Sequence, residues 1–217
     1  MDTNEVKKHY GKKCPYCGNR QTAKILYGMP SYSEDLKRQI ESGELKLGGC
    51  CLDAVRVNGK LVELVPSYYC NKCEKEFGSP PLIKSNKESV YEDYRDFVSS
   101  VEMSVWGYPS DKNTSVKISK NDDGALVEVF STRLILPFPE DVQISTKDWK
   151  RILDKLYSKI YLHEWVEEYI DYTILDGTEW DLKIVFDGNR SKIYHGCNAY
   201  PPYWRELKSI FSKYARF

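Results

Sequence analysis

Apolar positions along this chain recur with two periods, and their order outlines the fold. Ala54–Val57 and Lys60–Val65 are short β-rich runs on either side of Asn58-Gly59. Asn-Gly suits the type I′ turn, whose two positive φ values match the twist of paired strands, so a hairpin is predicted here. Upstream, Ser31-Tyr32-Ser33-Glu34 reads as a helix start, with a capping box from Ser31 to Glu34. Leu36 and Ile40 share one helical face, and Gly43 is placed to end the helix. Further on, Val101, Met103 and Val105 alternate with polar neighbours as a half-buried strand does. Ser115–Lys120 and Ala125–Phe130 flank Asn121-Asp122-Asp123-Gly124, a predicted hairpin loop, and Pro137 and Pro139 stop the strand that follows. Ser145 or Thr146 caps a helix whose Trp149, Ile152, Leu153, Leu156 and Ile160 form one apolar stripe. A second sheet segment begins near residue 178. There Trp180, Leu182, Ile184 and Phe186 share a strand face, Asp187-Gly188 turns the chain, and Ser191–His195 returns. Pro201-Pro202 opens a last helix carrying Trp204, Leu207, Ile210, Phe211 and Tyr214 on one stripe.

The predicted fold class is α+β. An N-terminal module over residues 1–79 precedes a linker over 80–96, marked by Gly78-Ser79-Pro80-Pro81 and a polar, charged run. An antiparallel-sheet domain with two packing helices follows over 97–217. A length of 217 residues accommodates one large domain or two small ones.

Charge changes this picture only locally. The 32 basic and 32 acidic side chains cancel, which removes the global positive field that would announce a nucleic-acid binder. Residues 1–24 nevertheless carry Lys7, Lys8, Lys12, Lys13, Arg20 and Lys24 against Asp2 and Glu5. Residues 164–181 carry Glu164, Glu167, Glu168, Asp171, Asp176, Glu179 and Asp181 with no base. Both runs read first as solvated faces. Seventeen tyrosines and five tryptophans suit half-buried sheets and interaction surfaces alike. No run approaches the roughly 20 apolar residues of a membrane span, and the first residues lack the apolar core of a signal peptide. A reducing cytoplasm is therefore the expected compartment, where cysteines serve as metal ligands more readily than as disulfides. The odd count of seven cysteines points the same way.

Two Cys-x-x-Cys knuckles, Cys14-Pro15-Tyr16-Cys17-Gly18 and Cys70-Asn71-Lys72-Cys73, carry the strongest chemistry. Thiolates two residues apart can both face one ion at about 2.3 Å, and a second pair completes a tetrahedron. The expected cofactor is one structural Zn²⁺ on Cys14, Cys17, Cys70 and Cys73. The 52 residues between Cys17 and Cys70 exceed the usual connection of about 15–20. An inserted helix and hairpin account for the excess, because closure cost grows slowly with loop length. Alternatives remain in which Cys50 or Cys51 replaces a knuckle thiol, or a knuckle works as a redox pair.

With Tyr27-Gly28-Met29-Pro30, Leu47-Gly48-Gly49-Cys50 and an aromatic four residues after Cys73, the order of these motifs resembles a zinc-ribbon module found in small uncharacterised bacterial proteins. The resemblance covers about residues 11–79, implies four cysteine ligands, and is specific for metal rather than for function. The stretch from Gly177-Thr178-Glu179-Trp180 through His195-Gly196-Cys197-Asn198-Ala199-Tyr200-Pro201 resembles a second module of such proteins and implies no activity.

The best enzyme candidate is His195 with Cys197, a base beside a thiol on one strand face. No orienting carboxylate is evident beside them; Asp176 or Glu179 would have to be brought near by the fold. The carboxylates Asp171, Asp176, Glu179 and Asp181 lack the periodicity of a calcium loop. His163-Glu164 has no second histidine four residues on, and Gly48-Gly49 lacks the lysine of a phosphate loop. The expected function is a non-catalytic, zinc-stabilised binding or adaptor protein. Its expected partner is a protein, with nucleic acid as the other candidate through Lys7, Lys8, Lys12, Lys13 and Arg20. A small hydrolase-type enzyme using His195 and Cys197 is the alternative.

Overall fold

The structure is a computed structural model that describes residues 11–50, 52–84, 90–107, 113–132 and 141–217. The chain divides into two compact units, one comprising Met1–Pro80 and Ser85–Tyr91 and one comprising Pro81–Lys84 and Glu92–Phe217. The architecture is α+β with mostly antiparallel sheets.

In the N-terminal unit, β1 (Thr22–Leu26), α1 (Glu34–Glu41), β2 (Leu45–Leu47), β3 (Ala54–Val57), β4 (Lys60–Glu63), β5 (Tyr68–Cys70) and β6 (Glu76–Phe77) follow in order. The main sheet has the order β2-β1-β5-β6, with β1 and β2 parallel. Parallel neighbours need a crossover, and α1 supplies it. The helix begins later than the predicted capping box requires. Ser33, extended at φ −149° and ψ 154°, is the cap, and its Oγ accepts from the Leu36 N–H at 3.1 Å. Glu34 is thus the first helical residue and stands too early to close a box with Ser31. At the other end Gly43 takes φ 74°; its N–H donates to Ile40 and that of Glu44 to Gln39, both at 3.0 Å. That pair of bonds is a Schellman stop. No residue of α1 is buried, and Ile40 is exposed, so the predicted apolar face covers no core. β3 and β4 form the predicted hairpin, with Asn58 at φ 49° and Gly59 at φ 79°. Among the described residues the buried apolar set of this unit is small: Ala23, Ile25, Val57 and Phe77, with Cys14, Pro15 and Cys70.

The segment expected as a linker carries β7 (Leu82–Lys84), β8 (Tyr91–Asp93) and α2 (Tyr94–Phe97). Asp93 caps α2 by accepting from the Arg95 N–H at 2.9 Å.

The C-terminal unit contains β9 (Val98–Gly107), β10 (Thr114–Asn121), β11 (Gly124–Ser131), β12 (Val142–Ser145), α3 (Thr146–Asp154), β13 (Glu168–Ile170), β14 (Thr178–Phe186), β15 (Arg190–Cys197) and α4 (Trp204–Phe211). The strands form one seven-stranded sheet, β12-β11-β10-β9-β14-β15-β13, antiparallel except where β13 runs beside β15. The segment near residue 178 therefore joins the first sheet at β9 and starts no second one. Val101, Met103, Val116, Ile118, Val127, Trp180, Leu182 and Ile184 are buried on one sheet face. The stripe of α3 and the π turn that continues it, Trp149, Ile152, Leu153, Leu156 and Ile160, is buried too. So are Leu207, Ile210 and Phe211 of α4, where Trp204 packs against Trp180 with ring centroids 4.9 Å apart and planes tilted by 42°. Ser145 caps α3 through the Asp148 N–H at 3.1 Å. α4 starts at Trp204, later than Pro201-Pro202, which form the turn before it. Gly196 passes directly under Trp180: a Cβ there would lie 2.0 Å from the indole Nε1, so only glycine fits. Pro137 and Pro139 lie outside the described residues.

Candidate metal centre

The knuckles are two copies of one backbone device. In each, the first cysteine carbonyl accepts from the residue four positions on, Gly18 to Cys14 at 3.0 Å and Glu74 to Cys70 at 2.9 Å. The same cysteine N–H donates to the residue five on, Cys14 to Asn19 and Cys70 to Lys75, both at 2.9 Å. The fourth position must then turn left-handed, and Gly18 sits at φ 73° and Glu74 at φ 58°. Glycine adopts this at no steric cost; glutamate adopts it with strain. The glycine was legible in the sequence, whereas nothing about Glu74 announced its conformation.

Strand pairing brings the two knuckles together. β1 runs antiparallel to β5 with Thr22 opposite Cys70, and the Asn71 N–H donates to the Gln21 carbonyl at 3.0 Å. All four Sγ atoms, of Cys14, Cys17, Cys70 and Cys73, lie within 4.8 Å of one another. Cys14 and Cys73 are separated by 3.7 Å, Cys17 and Cys70 by 3.6 Å. A tetrahedron with metal–thiolate bonds of about 2.3 Å has edges of roughly 3.8 Å, whereas a disulfide has sulfurs about 2.05 Å apart. The spacing fits four ligands of one ion. Cys14 and Cys70 are buried, Cys73 half-buried and Cys17 exposed. Burial pushes the Cys14 and Cys17 thiols above their ordinary range. Burial raises Cys70 as well, but N–H groups of Cys73 and Lys72 and the neighbouring thiols outweigh it and bring that thiol down. A cation at the centre opposes the burial effect at Cys14, Cys17 and Cys70, because it stabilises the thiolates directly.

This is the only group of three or more His, Cys, Asp or Glu side chains able to hold a metal among the described residues. Cys50 does not belong to it, and Cys51 lies outside the described residues. Asp171, Asp176, Glu179 and Asp181 form no such group; the Asp171 carboxylate accepts from the Thr173 N–H and hydroxyl at 3.0 and 2.6 Å. Of the basic candidates, Lys12 and Arg20 are exposed and Lys13 half-buried, while Lys7 and Lys8 lie outside the described residues.

The sheet face opposite the helices carries the second candidate. Cross-strand pairing sets Asp181 opposite His195 and Glu179 opposite Cys197. His195 Nδ1 lies 2.7 Å from Asp181 Oδ1. The carboxylate that the fold sets beside His195 is thus Asp181, rather than Asp176 or Glu179. It was missed because alternation along one strand does not reveal its register with the next. Trp106 approaches His195 with ring centroids 6.5 Å apart. Asn198, at φ 56°, accepts from the Thr178 N–H at 2.9 Å, and its amide donates to Cys197 Sγ at 3.6 Å.

Compared with known proteins, the chain matches no family model, no curated protein and no solved structure. No helix among the described residues is long and apolar enough to cross a membrane.

Proposed function

We propose that this chain is a non-catalytic, zinc-stabilised binding or adaptor protein whose N-terminal unit is a zinc-ribbon-like module. The observation that carries the reading is the closed set of four convergent thiols. Thiolates select soft and borderline cations, and tetrahedral four-sulfur sites take zinc or iron. Catalytic zinc keeps one position open for water or substrate, whereas four protein thiolates fill the coordination shell. The ion then acts on folding: it ties Cys14 and Cys17 to a β-strand end 52 residues later in a unit with a small apolar core. A rigid hairpin, β3–β4, and the basic side chains Lys12, Lys13 and Arg20 are the surfaces it presents, in a cytoplasmic setting, with a protein as the principal partner.

The test pairs affinity capture with metal content. The full chain, loaded with zinc, retains a specific partner from cell extract, and the Cys17→Ser/Cys73→Ser chain retains none. Capture that is indifferent to zinc contradicts the proposal. A salt-titrated assay with single-stranded oligonucleotides separates a nucleic-acid partner, whose affinity falls steeply with salt.

The Asp181–His195 contact favours a second reading, a thiol-dependent hydrolase with Cys197 as nucleophile and His195 as base. Alkylation of Cys197 at neutral pH decides it. A rate no faster than that of a free cysteine, unchanged in His195→Gln, removes the reading.

A further inference from the structure

We infer that the open edge of β13 is a docking strand for an extended, lysine- or arginine-rich segment of a partner protein, an inference that rests on the binding-protein reading and names its partner class. β13 ends the seven-stranded sheet, and no described strand lies beyond it. Its pairing with β15 uses the Glu167 carbonyl, which accepts from the His195 N–H at 2.8 Å, and the Asp171 N–H, which donates to the Cys197 carbonyl at 3.0 Å. In a parallel ladder alternate residues turn their backbone groups to opposite sides, so the N–H and C=O of Glu168 and Ile170 point outward. Two donors and two acceptors in register are what an added strand pairs with.

The surroundings choose the strand. Short, charged edges commonly serve to block aggregation. Here, however, the neighbouring segment exposes Leu175 at 97% and Tyr172 at 84%, with Val166 also exposed, and blocking does not call for such side chains. They offer apolar contact on either side of the two open residues. Charge sets the sign of the occupant: Glu167 and Glu168 are exposed beside and on the edge strand, Asp171 follows it, and residues 164–181 hold no base. Lys192 lies 3.5 Å from Glu167. An acidic or neutral strand meets repulsion or no attraction there, and a basic one is steered in.

The experiment uses a fluorescein-labelled ten-residue peptide of alternating lysine and valine on the full, metal-loaded chain, with an alternating glutamate–valine peptide as control. Anisotropy gives affinity, and hydrogen exchange gives the site. The lysine peptide binds, the glutamate peptide does not, and the Glu168 and Ile170 amides gain protection. Ile170→Pro deletes one outward N–H without touching the β15 ladder, and Glu168→Lys reverses one charge; each weakens binding by about tenfold. Leu175→Ser keeps the fold and weakens binding less. Absence of binding, equal binding by all variants, or binding without protection at those two amides overturns the inference. Zinc-dependent partner capture that survives Ile170→Pro leaves the binding-protein reading standing while this edge falls.

Discussion

Removing the metal should unfold the N-terminal unit and leave the C-terminal unit folded. Without the ion, the cross-link between Cys17 and Cys70 disappears, together with the closure of 52 intervening residues. Chain-entropy reasoning, borrowed from disulfides, puts that closure alone at about 4 kcal/mol. Among the described residues, the remaining buried apolar side chains of the unit are Ile25, Val57 and Phe77, with the small Ala23 and Pro15. At about 1.5–3 kcal/mol for each of the three large side chains, this core supplies about 5–9 kcal/mol. A unit in that position lacks the means to absorb a further loss of this size. The C-terminal unit buries Trp180, Leu182, Ile184, Leu156, Leu207 and Phe211 almost completely, and none of its described residues belongs to the metal-binding group. Hydrogen exchange followed by mass spectrometry, with and without a strong chelator under reducing conditions, reads both units at once. Peptides covering β1 and β5 lose protection, and those covering β9 and β14 keep it. Full protection of β1 and β5 after proven metal removal would refute the reasoning.

Four further outcomes follow from local geometry. Gly196→Ala forces a methyl into Trp180 and lowers stability by about 2–3 kcal/mol, read as a shift in the urea midpoint of the C-terminal unit. Leu156→Ala, at a fully buried position, costs about 3 kcal/mol by the same measurement. Glu74→Gly relieves the left-handed strain of the second knuckle and raises the thermal midpoint of the metal-loaded chain, corresponding to about 1 kcal/mol. Cys50→Ser leaves metal content unchanged in elemental analysis, whereas Cys17→Ser lowers it; equal retention by the two variants would place the ligand set elsewhere.

Much of this structure was legible because local chemistry and tertiary context agree. Asn58-Gly59, Gly43 and Ser145 mark a turn, a stop and a cap that each depend on one or two residues. The stripes from Trp149 to Ile160 and from Leu207 to Phe211 carry the helical period because one face meets the sheet. The failures have a common physical cause. Ser31 and Ser33 compete for one cap, and spacing alone does not tell which one the Leu36 N–H reaches; in the fold it is Ser33. β2, β12 and β13, three or four residues each, carry too few positions for a period to show. The Asp181–His195 contact depends on register between β14 and β15, a property that neither strand encodes alone. The four cysteines could be chosen as ligands from spacing, while the strand pairing that closes their 52-residue separation could not.

X-ray absorption at the zinc edge, combined with elemental analysis of the freshly purified full chain, tests the central claim most directly. The account predicts one zinc per chain with four sulfur neighbours at about 2.3 Å and no nitrogen or oxygen ligand. Metal-free protein, or a shell containing lighter atoms, would contradict it.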